Sequence, residues 1–523
     1  MGALRRLLGC LLLAGLIGAV TTIPTSAVPE GPPSGSPDWY AREATNLQKT
    51  AEETQREDAD PAFFARVQAQ SQANLLAFNQ RQVADPSWNT QGNVCQAWQQ
   101  DCAGDPYLYP GVDTFYGSVG QVTPISYYDD GGARISGRVW APAHPVAGKQ
   151  YPGVVIETGS VQAPETLYWW FAETLVRNGY VAMTFDVRGQ GNSDNHTPSG
   201  DQGSNANSSV FWNGLVDAVD WFRSTPAKLY TYNAKWLAGR VPAPTTPNND
   251  YNPLYRMIDH TRLGIVGHSL GATGVSVVQG LDPWPGVVDH GAPNPVGVTV
   301  AWDNLLGPSG ASGSGTPPFK IRTPSLGSSN DYSLVVQPYT SEPDPEGKKA
   351  AFHEWEKAGV PVMQVVIQGG THYEYSRISQ FPVPFPTTNW FTWGNPFADH
   401  YSLAWIDRWL KHPDEPGYGT ADARLLQDST WAARMSFYFR SARDFPDRSG
   451  TRHVCQDIRA GCKDTAAAFS PPAYVPSAAS SSGLPGTFTQ SGPLPVMALL
   501  AIAGALLLWR RRASASRHDL TRR

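Results

Sequence analysis

The sequence predicts an α/β fold: a mostly parallel central sheet with helices on both faces. Three observations carry that reading. First, short apolar runs with many β-branched members recur at residues 151–157, 180–186, 263–266, 297–302, 321–326 and 360–367. Apart from 321–326, which is more polar, they are predominantly apolar rather than alternating, as strands covered on both faces must be. Second, stretches with apolar residues at helical spacing intervene at 165–178, 210–224 and 345–358, and one more closes the series at 401–411. Strands separated by helices pair in parallel through crossover connections. Third, the run at 263–266 passes into a helical stretch through Gly267-His268-Ser269-Leu270-Gly271 with no room for a loop.

In chain order, residues 124–128 and 133–141 read as a β-hairpin around Asp129-Asp130-Gly131-Gly132. The strand at 151–157 is broken by Thr158-Gly159-Ser160-Val161, and the helix at 165–178 is closed by Gly179. The next strand ends at Asp186, and the helix at 210–224 stops before Pro226. Residues 227–259 form an insertion rich in aromatics, Pro and Asn, which either leans over the site or decorates an edge. After the strand at 321–326, Asn330 and Asp331 fall in a loop; after the strand at 360–367 comes Gly369-Gly370-Thr371-His372.

The flanks belong to an exported protein. Residues 1–27 carry Arg5 and Arg6, an apolar stretch and a small-residue end at Ala27, the pattern of a secretory signal peptide. Residues 28–120 read as a helical extension holding Cys95 and Cys102, and 413–470 as a C-terminal extension holding Cys455 and Cys462. Both pairs share one spacing, and in an oxidising compartment two local disulfides are the simplest reading, although three connectivities are open. The spacing lacks a histidine set and export favours oxidation, so no metal is expected at these cysteines; separately, no cofactor is expected. Residues 471–493 are a Pro/Ser-rich linker, 494–509 an uncharged transmembrane helix and 510–523 a basic cytoplasmic tail opening with three arginines. The domain between them is 121–412. With 523 residues, 16% charged, and a net charge of −5, the chain has no basic stripe interleaved with aromatics, which excludes a nucleic-acid partner.

Gly267-His268-Ser269-Leu270-Gly271 between strand and helix is a G-x-S-x-G elbow, which projects the serine hydroxyl from the top of a sheet. With the Asp186-x-Arg188-Gly189-x-Gly191-x-Ser193 turn, it makes residues 125–412 resemble the α/β-hydrolase superfamily. Asp186 and Arg188 read as a structural ion pair fastening that turn. The resemblance implies an α/β-hydrolase fold and the order nucleophile, acid, histidine at successive strand ends. Ser269, Asp331 and His372 occupy that order. Asp303, after the preceding strand, is the alternative acid, and Glu157 reads as structural. His400 is the rival base, placed as a helix cap or packing residue; His260 and His268 cannot swing back to the serine. Oxyanion donors would be the N–H groups of Leu270 and Ser160, with Val161 as substitute for Ser160. The implied activity is a membrane-tethered, secreted serine esterase acting on small or lipid-like esters. A prolyl-type peptidase and a catalytically silent surface binding protein are the other readings. Residues 377–397, rich in aromatics and proline, are expected to wall the acyl pocket or to pack on the body.

Overall fold

The computed structural model describes residues 115–160, 163–191, 193–204, 207–237, 250–312, 315–333, 343–376, 394–436 and 438–462. The expected signal segment, nearly all of the N-terminal extension with Cys95 and Cys102, the linker, the apolar tail and most of 377–397 lie outside these residues. Among the described residues no helix is long and apolar enough to cross a membrane.

Among the described residues, ten strands make one sheet: β1 (Gly120–Tyr128), β2 (Arg134–Pro142), β3 (Tyr151–Glu157), β4 (Val181–Asp186), β5 (Ile258–His268), β6 (Val296–Trp302), β7 (Ser325–Asn330), β8 (Val362–Ile367), β9 (Ala442–Pro446) and β10 (Arg452–Cys455). Their order is β1-β2-β4-β3-β5-β6-β7-β8-β9-β10. The centre from β4 to β8 is parallel. The expected hairpin β1–β2 pairs antiparallel at one edge, where Pro124 costs no ladder bond that an inner strand would need.

Among the described residues, six helices of about two turns or more accompany the sheet: α1 (Trp169–Arg177), α2 (Val210–Arg223), α3 (Thr231–Leu237), α4 (Leu270–Val278), α5 (Ala350–Ala358) and α6 (Gly394–Leu410). Strand side chains alternate between two buried clusters, as a period of two requires. Val154, Ile156, Val266, Val298 and Val300 meet α1 and α6 on one face. Val155, Ile265, Val296 and Ala301 meet α2, α4 and α5 on the other. The described part of the 227–259 insertion sits at the sheet edge: Asn233 Oδ1 accepts the Tyr128 N–H (2.9 Å) and the Trp236 indole donates to the Asp130 carbonyl (3.2 Å).

Two expectations shift. The strand expected at 321–326 begins instead after Pro324, so that Ser325–Asn330 form it and Asp331 follows directly. These six residues are all buried although four are Ser or Gly. Small side chains are required there: a Cβ on Gly327 would stand 2.1 Å from Gln364 Oε1. The second shift concerns the boundary at 412. Residues beyond it supply β9, which pairs antiparallel with β8, and β10 beside it. The Cys455–Cys462 disulfide closes the end of β10, in the local pairing expected for that motif.

Candidate active site

β5 ends at His268, and α4 begins at Leu270, leaving one residue for the reversal. Ser269 takes φ 60° and ψ −121°, a region that side chains other than glycine avoid, at a cost of ~1–3 kcal/mol. Both flanking glycines are sterically required. A Cβ on Gly267 would stand 2.2 Å from the Gly271 carbonyl oxygen, and one on Gly271 2.5 Å from that of Thr158. The Ser269 N–H donates to the Trp302 carbonyl (2.9 Å), tying the elbow to the end of β6. Leu270 is the first residue of α4, so its N–H has no acceptor within the helix and points with the positive end of the helix dipole.

His372 reaches this serine from the far side of two strands. Thr371 caps the short helical turn His372–Tyr375 in a capping box with Glu374, and the His372 N–H donates to the Ser333 carbonyl (2.8 Å). Held in this way, His372 Nε2 lies 2.9 Å from Ser269 Oγ, and Nδ1 lies 2.6 Å from Asp303 Oδ2. Asp303 follows β6, takes a left-handed φ of 50°, and accepts from the Ser329 hydroxyl (3.1 Å) on its other oxygen. Burial would raise its carboxyl. The hydrogen bond and charge of His372, with Lys348 and His268 behind them, outweigh burial and bring it to about 2, so it is ionised at neutral pH.

The carboxylate on His372 is therefore that of Asp303, not Asp331. Asp331 is buried one strand further along, where its carboxylate accepts the Gly369 N–H (2.7 Å) and the Ser436 hydroxyl. It fastens the turn that delivers His372. Both aspartates follow strands, and order along the chain cannot distinguish them. What decides is lateral position: β6 adjoins β5, whereas β7 is one strand further from Ser269.

Ser160 stands in a half-buried bend after β3, and Val161 lies outside the described residues. A Cβ on Gly159 would be 3.2 Å from Ser269 Cβ, so this loop packs closely on Ser269. Glu157, at the end of β3, is fully buried, and neither of its oxygens has a hydrogen-bond partner among the described residues; burial pushes its carboxyl well up. The expected Asp186–Arg188 pairing is replaced by two separate ties. Arg188 pairs with Asp129 (2.7 Å), and Asp186 accepts the Glu165 N–H (2.7 Å). His400 packs its ring on Trp431 and bonds the Arg424 carbonyl, as a packing residue does.

Sequence reasoning missed the aromatic backing. Trp302, which precedes Asp303 and whose carbonyl accepts the Ser269 N–H, stacks between Trp170 (5.4 Å) and Tyr375 (6.0 Å). Its only trace in the sequence is aromatic residues at strand and helix ends. A cleft of about 340 Å³ lined by Gln150, Tyr255, Arg256 and His260 lies at the opposite ends of β3 and β5, away from the serine. Among the described residues no group of three or more His, Cys, Asp or Glu could hold a metal ion. Compared with protein-family models and with curated proteins, the chain matches none of them.

Proposed function

We propose that the protein is a serine hydrolase of the α/β-hydrolase type that cleaves carboxylic esters outside the cell. One observation carries the reading: the hydrogen-bonded line Ser269–His372–Asp303 at the ends of three parallel strands, behind a strained serine. His372 Nε2 takes the hydroxyl proton as Ser269 Oγ attacks the acyl carbon, and Asp303 stabilises the imidazolium that forms. The tetrahedral oxyanion rests on the N–H groups of Leu270 and Ser160. His372 then protonates the departing alcohol, and water, activated by the same ring, releases the acid. Export is supported by the N-terminal apolar segment and by the oxidised Cys455–Cys462 pair, and tethering by the apolar tail with its arginines.

Ser269→Ala tests this directly. Turnover of a short aryl ester, and labelling by a fluorophosphonate, should both fall below about a hundredth of the wild-type level with the fold intact. Retained turnover would leave Ser269 without a role. Labelling with no turnover of any ester or peptide would favour a binding protein, and cleavage of peptides alone would favour a peptidase.

A further inference from the structure

We propose that Tyr168 and His268 are positioning residues for this reaction, joined in one hydrogen-bonded chain that fixes the oxyanion loop against the backbone of the general base. The proposal rests on the serine-hydrolase reading above. The Gly159 N–H donates to Tyr168 Oη (3.0 Å), Tyr168 Oη lies 2.7 Å from His268 Nδ1, and His268 Nε2 lies 2.8 Å from the His372 carbonyl oxygen. All three side chains involved in or flanking the chain, Tyr168, His268 and Tyr375, are buried.

The direction of every proton follows from what each atom can do. A carbonyl oxygen only accepts, so His268 Nε2 carries hydrogen. An amide only donates, so Tyr168 Oη accepts from Gly159 and its single proton goes to His268 Nδ1. The ring is then neutral, with its proton fixed on Nε2. Burial first, and the charge of His372 second, hold it far below the usual imidazole range, at about 3. Neutrality matters because the His268 and His372 rings lie 4.6 Å apart. A charged neighbour at that distance would oppose the imidazolium that must form on His372.

The chain closes a circuit around the reacting atoms. Ser269 contacts His372 by side chain, His372 contacts His268 by backbone, and His268 leads through Tyr168 to Gly159. Gly159 packs back on Ser269, and a Cβ placed there would also come within 3.1 Å of both Tyr168 Oη and His268 Nδ1. The amide of Gly159 is consumed, which leaves the next amide, that of Ser160, as the donor available to an oxyanion. Loss of any link lets the oxyanion loop and the general base drift independently, and a misplacement of about 1 Å costs on the order of 10²-fold in rate.

The test uses the full chain and a short aryl ester. Tyr168→Phe removes one oxygen from the middle of the chain, and His268→Gln removes the ring acceptor. Each should lower kcat on the order of 10–100-fold with KM within about twofold, in protein that remains folded. A folded Tyr168→Phe protein with kcat within about threefold of wild type overturns the proposal, as does a loss confined to thermal stability. Ser269→Ala in the same assay keeps the two ideas apart, since turnover surviving there defeats the hydrolase reading whatever Tyr168→Phe does. Ring ¹⁵N NMR of the wild-type protein needs no variant. The histidine in contact with Tyr168 and Tyr375 should keep its proton on Nε2 from about pH 5 to 8, where a free imidazole titrates. A proton on Nδ1, or titration in that range, overturns the chain.

Discussion

Asp303 and Asp331 have the same side chain and the same kind of location, and the structure gives them different work. Asp303 accepts from His372 Nδ1, so Asp303→Asn should leave the imidazole in the wrong tautomer and lower kcat by on the order of 10⁴-fold. Asp331→Asn acts on the turn instead: the Asp331 carboxylate accepts the Gly369 N–H and the Ser436 hydroxyl. Here the expected result is a stability loss of about 1–3 kcal/mol, read as a lower Tm, with kcat within about tenfold of wild type. The opposite ranking of the two kcat values would return the acid to Asp331. Glu157 supplies a test through pH. Its carboxyl is raised by burial, so the folded chain holds a proton there that the unfolded chain releases above its ordinary value of 4.5. Protons bound in excess by the folded state make stability fall as pH rises from that ordinary value toward the raised one. Glu157→Gln removes this dependence while keeping the shape. The Tm advantage of the variant over wild type should therefore widen between about pH 5 and 8, by up to ~1.4 kcal/mol per pH unit in stability. A constant difference across that range would mean that Glu157 is ionised in the folded protein.

The Gly267–Gly271 elbow shows how one element can be legible while its neighbours are not. Its chemistry is local: Gly267 and Gly271 are demanded by contacts with Gly271 and Thr158 backbone within a few residues or one strand, so the pentapeptide carries its own explanation. Gly274 continues the theme one turn on, where a Cβ would stand 2.3 Å from Glu157 Oε2 and 2.6 Å from the Phe211 carbonyl oxygen. Gly274→Ala should therefore force α4 away from β3 and α2, and reduce Tm and kcat together; an unchanged kcat would show that the elbow is held independently of its helix. β3 and β8 were equally readable, because fully buried parallel strands advertise themselves as unbroken β-branched runs. β7 was not. Its Ser-Leu-Gly-Ser-Ser-Asn run has little β character, yet it is buried between β6 and β8, and a Cβ on Gly327 would stand 2.1 Å from Gln364 Oε1 and 3.0 Å from Leu305 Cβ. Which aspartate reaches His372 has no signature in the sequence either, because it depends on β6, not β7, lying beside β5. His268 was readable as unable to act on Ser269, but its bond to the His372 carbonyl joins residues 104 apart in sequence and has no sequence signature.

At the scale of the whole molecule, the C-terminal extension is part of the machine rather than an appendage. β9 pairs with β8, the strand that leads to His372, and Phe445 on it is fully buried against Trp405 of α6 at 5.6 Å. Ile458 and Cys455 are buried in the same cluster. Each such side chain is worth about 1.5–3 kcal/mol when removed from water, a large share of the stability of a domain. Removing residues beyond 412 would also bare the edge of β8, a flat apolar strand that invites pairing between chains. The same cut takes away Ser436, whose hydroxyl and N–H hold Asp331 and the Val366 carbonyl, and through Asp331 the Gly369 turn that presents His372. A chain ending at 470 keeps every one of these contacts and loses only the linker, the apolar segment and the basic tail. It should be folded, and its kcat on a short aryl ester should match that of the full chain. A chain ending at 412 should aggregate or, if held in solution, turn over ester at less than about a hundredth of that rate, because both the sheet edge and the support of the turn bearing His372 are lost. Circular dichroism, gel filtration and the ester assay on the two truncations decide the matter. A soluble, monomeric 1–412 chain with wild-type kcat would show that β9 and β10 merely rest on a sheet complete without them.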